Sequence, residues 1–301
     1  MYQLKHIKHT EIDFSKWDQT ILASQYPLVF AQSFYLDATF PNWEAIIIGD
    51  YDCVFPITKK NKFGVSYLHQ PSFTPQLGLF GKVNSEIEKK VYDYLVAHFK
   101  LVEIELNASN QLLTKHHSNK TTYIIDYCKE FKQNQNTKRN INKAKENKLI
   151  VEQITENEVL ELSKIHLNPF LSKQLHLSGG TISVFNNLLQ SCMSHKTLFS
   201  FKVIDDQKNV KALAHFICNG KHTVYLKGTN FDKSENSGSM HLLTHFAIEF
   251  FKDKAQWFDF GGGTKESLAN FYKGFGGEAL NYQVLKINNL PLVIKLLRKL
   301  K

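Results

Sequence analysis

The stretch FDFGGGTKESLANFYKGFGGEALNYQVLKI, Phe258 to Ile287, decides how the second half of the chain is read. A short apolar strand runs into glycines, then a short helix, more glycines and a final strand. Six of the fifteen glycines fall between Gly261 and Gly277, with Lys273 among them in an otherwise apolar segment. The pattern is no P-loop, because no glycine precedes GGGTKES at the required spacing. It is no GxGxxG fingerprint either, since Glu266 stands where the third glycine belongs. Two readings stay open: an anion site, where a strand meets exposed amides at a helix N-terminus, or a tight turn in which Thr264 caps the helix.

Working outward, Leu149–Thr155 alternates as a strand and Asn157–Asn168 has helical apolar spacing. A further helix covers TISVFNNLLQSCM. Thr197–Asp205, Val210–Cys218 and His222–Gly228 read as strands joined by hairpin-length turns. SMHLLTHFAIEFFKDK carries Met240, Leu243, Phe246, Ala247, Phe250 and Phe251 on one face of an amphipathic helix. The order is β-α-α-β-β-β-α-β-α-β, followed by a basic helix after Pro291.

The first half repeats that order with gaps, its penultimate helix (ASNQLLTKHH) being weak. A shared element order at a period of roughly 150 residues is what a diverged duplication leaves. Two domains are expected, 1–128 and 129–301, the second opening with a polar, basic linker helix over Cys128–Leu149.

Composition narrows the function classes. The chain has 301 residues and 43% hydrophobic residues, enough for a large core. The N-terminus has no apolar signal region, and no run reaches the ~18–20 apolar residues of a membrane span. The four cysteines are scattered, which suits buried thiols in a reducing cytoplasm rather than disulfides or zinc. The net charge is +9, yet of 37 basic residues only Arg139 and Arg298 are arginine. Dispersed lysines are mostly solvated, so no DNA partner is expected, and Arg139 matters more than any one lysine.

Two further motifs are ambiguous. His241, His245 and Glu249 share one helical stripe, but the glutamate of HExxH is missing, so a groove-lining or solvated stripe is expected and no metal site. Lys138, Arg139, Asn142, Lys145 and Lys148 crowd into two or three turns, as on a solvated linker helix.

The element order resembles that of the Gcn5-related N-acetyltransferase (GNAT) fold. Its tandem use, with the basic KRNINKA helix (residues 138–144) between halves, resembles the FemAB-type peptidyltransferases. FDFGG, FYKGFGG and the final YQVL strand are similar to the end of that family's second domain. The resemblance implies an α/β (α+β) chain of two tandem GNAT-like domains, each a mixed, largely antiparallel sheet flanked by helices. It implies transfer of an acyl or aminoacyl group to the amine of a phosphorylated, peptidoglycan-precursor-like acceptor in the cytoplasm. The donor would be aminoacyl-tRNA or acyl-CoA, with no resident cofactor. Lys273 would meet the acceptor's diphosphate, with Arg139, Lys138, Tyr282 and the backbone of Gly261, Gly262 and Gly263 completing the binding set. Asp259 and Tyr225 are candidate proton handlers near strand ends, Asp259 alternatively satisfying backbone amides. The terminal basic helix could touch a membrane surface.

Two departures from the pattern carry expectations. The acetyl-CoA signature [QR]-x-x-G-x-[GA] would fall near Glu235–Met240, where Glu235 replaces Gln or Arg and Met240 the small residue. Weak or absent acetyl-CoA binding is therefore expected. The long helical arm of some FemAB proteins is also missing. A CoA-dependent acetyltransferase and a catalytically inactive tandem fold are the alternatives.

Overall fold

The computed structural model describes residues 3–62, 64–111, 117–166, 179–231, 237–291 and 295. Glu235, the segment after Pro291 apart from Lys295, and the end of ASNQLLTKHH lie outside the described residues. The chain divides into two compact units: Met1–Lys120 with Asn281–Lys301, and Thr121–Leu280.

In the first unit, β1 (Leu4–Ile7), β2 (Glu44–Ile48), β3 (Cys53–Ile57) and β6 (Phe80–Gly81) form an antiparallel sheet in the order β1-β2-β3-β6. Helices α1 (Phe14–Ala23) and α2 (Ser33–Thr39) bury Trp17 and Tyr35 with Trp43. The Trp17 ring lies 4.6 Å from that of Trp43, and its indole N–H donates to Ala31 O (2.8 Å), so the large apolar body is buried without orphaning its donor. The same unit holds β4 (Lys59–Lys62), β5 (Val65–His69) and β7 (Leu101–Glu105). β5 and β7 run parallel, with α3 (Ser85–His98) between them in sequence. The chain's last strand, β14 (Glu278–Asn288), then pairs antiparallel with β7 over Val284–Asn288.

The second unit repeats this arrangement. β9 (Ile150–Gln153), β10 (Leu198–Ile204), β11 (Val210–Cys218) and β12 (His222–Asn230) are antiparallel neighbours. β13 (Trp257–Asp259) is parallel to β12, and α7 (Ser239–Phe251) lies between them in sequence. β8 (His117–Asp126) closes the order by pairing antiparallel with β13. Each unit thus takes its last strand from the other half of the sequence: β14 from the chain's end, β8 from before the basic helix. The sequence boundary at 128/129 leaves both strands with their sequential neighbours, whereas the compact units exchange them.

Helices α4 (Gln135–Glu146), α5 (Glu156–His166), α6 (Gly179–Ser194) and α8 (Glu266–Gly274) complete the described elements. α7 lays Leu243, Ala247 and Phe251 onto β10 and β11, around a fully buried Phe201 whose ring lies 5.8 Å from that of Phe216. Each such aromatic, fully buried, contributes about 1.5–3 kcal/mol. The buried stripe is rotated from the expected one: Phe246 is 36% exposed, while Leu242 and Ile248 are buried. Two other expectations are corrected. The basic helix spans only Gln135–Glu146, capped by Asn134, whose side chain accepts from the Thr137 amide. α8 opens at Lys265 with no side-chain cap, so Thr264 does not cap it.

α7 approaches α4 most closely at Gly238. Gly238, at the α7 N-cap, has φ 83°, and a Cβ there would lie 2.2 Å from the Asn140 carbonyl oxygen. Gly238→Ala is expected to destabilise the protein by more than about 1 kcal/mol, through left-handed backbone and lost close approach. Thermal unfolding checks this, and an unchanged Tm would mean the α4–α7 contact is loose.

Candidate functional site

The parallel register between β12 and β13 ends at Val224↔Asp259. β12 then continues to Asn230, paired on its other side with β11, while the chain after β13 turns away at Phe260–Gly261. On that side the ladder carries a bulge: Phe216 pairs with Tyr225 and His215 with Lys227, leaving Leu226 outside the register. A bulge re-aims side chains and removes a backbone group from the ladder. The strands part at the bulge, and the gap opens into a cavity of about 620 Å³.

Three elements line this cavity. β12 brings Tyr225 and Lys227, the start of α7 brings Met240 and His241, and the turn with α8 brings Gly261 and Tyr272. Phe260 and Phe271 add apolar wall. The Gly261 turn lies close against β12: with φ 70°, a Cβ there would sit 2.8 Å from the Tyr225 carbonyl oxygen. The Tyr225 ring stacks on Phe216, centroids 4.9 Å apart. His241 is wedged against Phe271 and Phe275.

Burial sets the charge of these groups. It raises the Tyr225 phenol well above its ordinary value and pushes Tyr272 up to about 12. It lowers His241 and Lys227. All four shifts favour the neutral form, as expected for an apolar cleft. The cavity therefore offers protonated phenols beside a neutral imidazole.

The predicted residues separate into groups. Tyr225 and Gly261 line the cavity. Asp259 does not: it is 2% exposed and its Oδ1 accepts from Thr122 Oγ1 and the Gly261 amide, both at 2.7 Å, with His222 Nε2 3.4 Å from Oδ2. It pins the turn from behind. Gly262 and Gly263 lie outside the lining, Gly263 packing against the Tyr123 ring. Gly274, Gly276 and Gly277 let the chain approach Thr137, Lys132 and the Tyr272 backbone, so most of the glycine cluster serves packing.

The basic candidates sit elsewhere. Lys273 is exposed on α8, its ammonium 5.7 Å from the Tyr123 ring centroid. Lys138 and Arg139 are exposed on α4, beside Asn142 and Lys143 along a surface groove, and Arg139 Nη2 donates to Asn136 Oδ1 at 2.9 Å. The Asn134 amide at the foot of α4 donates to the Gly274 carbonyl at the end of α8, so these cations stand on adjoining helices. Tyr282 belongs to the first unit, where its hydroxyl donates to Glu105 Oε2 at 3.0 Å.

Sequence reasoning missed Lys227 and Tyr272 as cavity residues. The available signal was a lysine inside an otherwise apolar strand pattern, HTVYLKG. His241 and His245 part company: His241 enters the cavity, while His245 Nδ1 lies 2.9 Å from Gln133 Nε2. Among the described residues no group of three or more His, Cys, Asp or Glu could hold a metal ion. No described helix is long and apolar enough to cross a membrane.

Removing Asp259 should be a stability defect. Asp259→Ala orphans the buried Thr122 hydroxyl, costing about 1–3 kcal/mol, and releases the half-buried Gly261 amide. Asp259→Asn keeps an acceptor and should recover part of the loss in thermal unfolding. An unchanged Tm for Asp259→Ala would refute this anchoring role.

No protein-family model matches the chain, and no curated protein matches its sequence. Solved structures do match in fold. FemX superposes with a TM-score of 0.66 over 97% of this chain and 99% of its own, at 11% identity. The C-terminal domain of an assigned lysylphosphatidylglycerol synthetase from Agrobacterium fabrum gives 0.58, over 96% and 95%, at 9% identity. A tandem GNAT protein from the clavulanic acid biosynthesis pathway gives 0.52, over 94% and 98%, at 7% identity. With the duplicated strand–helix–strand order and the parted parallel pair, these likenesses establish the architecture: the chain has the FemAB-type tandem GNAT fold.

Proposed function

We propose that the chain is an N-acyltransferase whose chemistry takes place in the cavity of the second unit. The observation that carries this reading is the bulged β12, parted from β13, with a protonated Tyr225 beside the bulge. An acyl carbonyl placed against the displaced backbone at Leu226 would find an amide donor for its developing oxyanion. The neutral acceptor amine attacks the acyl carbon, the bond to sulfur or oxygen breaks, Tyr225 donates a proton to the leaving group, and the proton released by the amine nitrogen restores the phenol. No covalent enzyme intermediate is required, because positioning two substrates supplies much of the acceleration.

The acceptor in this reading is a phosphorylated, amine-bearing, cell-wall-precursor-like molecule, as for FemAB-type enzymes. Lys273, Lys138 and Arg139 would meet its phosphates, supported by their place on adjoining helices. Aminoacyl-tRNA is favoured over acyl-CoA as donor, because Met240 fills cavity space where CoA-dependent GNAT enzymes have a small residue. A catalytically inactive tandem fold is the opposing reading.

Turnover separates them. With aminoacyl-tRNA or acetyl-CoA as donor and a uridine-diphosphate-linked muropeptide as acceptor, Tyr225→Phe should lower kcat by roughly 10²- to 10⁴-fold and leave Tm nearly unchanged. Absence of transfer with either donor supports the inactive reading. Micromolar acetyl-CoA binding by calorimetry, about −8 kcal/mol, would reverse the choice of donor.

The phosphate role has its own check. Lys273→Ala and Arg139→Ala should each weaken precursor binding by roughly tenfold or more, the value of a charge-assisted hydrogen bond. Arg139→Lys should recover only part, since an ammonium lacks the planar fork. Unchanged affinity in both alanine variants would remove these residues from the site.

A further inference from the structure

The start of α3 borders a second cavity, of about 260 Å³, whose described wall lies wholly within the first unit. Its place in that unit is like that of the other cavity in the second: beside the helix that joins two parallel strands, and the turn after the second strand. Here, however, the backbone edge is covered. Leu77 bridges Leu106 in parallel, its amide donating to Glu105 O at 2.7 Å, and the Glu105 amide donates to Gln70 Oε1 at 3.0 Å. Backbone groups paired in this way are not available to an acyl carbonyl.

What this cavity offers is a carboxylate. Glu88 is 7% exposed, and its Oε1 accepts from the Gln111 amide at 2.7 Å. Among the described residues its second oxygen has no partner and no cation pairs with it. Glu88 is the only titratable group on the described wall, which also carries Ser24, Asn84 and Ser109 beside the apolar Leu79, Phe80 and Val83. A buried carboxylate with one backbone bond and no counter-ion is a standing cost, removed when a cation enters. Carboxylates elsewhere in this protein find cations: Asp50 pairs with Lys16, Glu44 with Lys59, Glu158 with Lys202.

We infer that the first unit's cavity is a binding site for a primary alkylammonium ion, held by the free oxygen of Glu88. An ammonium is favoured over a guanidinium because Oε1 is already taken by Gln111, which leaves no two-oxygen edge for a bidentate fork. Ser109 Oγ donates to Asn107 Oδ1 at 3.0 Å, so its lone pairs remain to accept a further N–H of the ammonium. The volume is below the ~300–1,000 Å³ of pockets that take drug-sized ligands, which limits the tail against Leu79, Phe80 and Val83 to a few carbons. A free amine and a lysyl side chain both present this group. The site is confined to the first unit and does not depend on the acyl-transfer reading.

The test uses matched probes and ligand-observed NMR on the full chain. At pH 8, n-butylamine should bind roughly tenfold or more tightly than 1-butanol, the value of a charge-assisted hydrogen bond, and more tightly than n-butylguanidine. Glu88→Gln keeps an acceptor for the Gln111 amide and should abolish the preference over the alcohol. The wild-type pH dependence repeats the test without a variant. Burial raises the Glu88 carboxyl above its ordinary value, so the preference should fade as pH falls through that raised value, before an exposed carboxylate would protonate. Cys53 on β3 is pushed up to about 12 by burial and stays neutral, and Asp52 is paired with Lys82. No preference at pH 8, one that stays flat down to about pH 4, or one that survives in folded Glu88→Gln overturns the site. Equal or tighter binding of n-butylguanidine overturns the choice of ammonium. Nα-acetyl-lysinamide separates the sources: binding tighter than n-butylamine supports the site with a lysyl side chain as occupant, and equal or weaker binding supports it with a free amine.

Discussion

The second unit depends on one constraint: β12 cannot remain paired with β13 beyond Val224. Three features enforce the parting. The bulge at Leu226 changes the strand's course, Asp259 captures the Gly261 amide, and that turn presses its backbone against the Tyr225 carbonyl. A sheet that zipped shut would bury no cavity and expose no backbone group. Because the strands separate instead, a polar backbone edge and two phenols, Tyr225 and Tyr272, line one apolar-walled cleft.

That cleft has a consistent electrostatic character. The aromatic wall of Phe260, Phe271 and Tyr272 withholds water, and each ionisable group there is pushed toward its neutral form. Neutral phenols in such a place can donate hydrogen bonds without carrying charge. The exposed cations of α4 and α8 lie outside this cleft and remain hydrated.

Much of the architecture was legible because it rests on local periodicity. The alternation in β10 to β12 and the helical spacing in α7 are properties of adjacent residues, and the repeated order followed from them. Capping was less legible. Thr264 is a good capping residue by type, yet the chain stays extended through Lys265, since the glycine turn must first clear β12. Phe246 has the spacing of a buried residue, but α7 is rolled by its close contact with α4 at Gly238, and the ring is left partly exposed. Gly261 was identifiable from its place in the turn after a strand, whereas Tyr225 lies inside β12 and not near its end. Lys227 was not identifiable, because a lysine in a strand gives no sign of whether it faces water or a cavity.

What the sequence determined alone is the set of elements, their order and duplication, and the position of the glycine turn after a strand, because these depend on neighbours along the chain. What only the tertiary structure decided is which strands pair last and what faces the cleft. β8 and β14 are each completed by partners far away in sequence, so the units exchange them against the linear boundary. The fate of Asp259 was settled the same way: Thr122, 137 positions distant, takes one of its hydrogen bonds. Long-range pairing and burial select among local possibilities that the sequence leaves equal, and the cavity exists only after that selection.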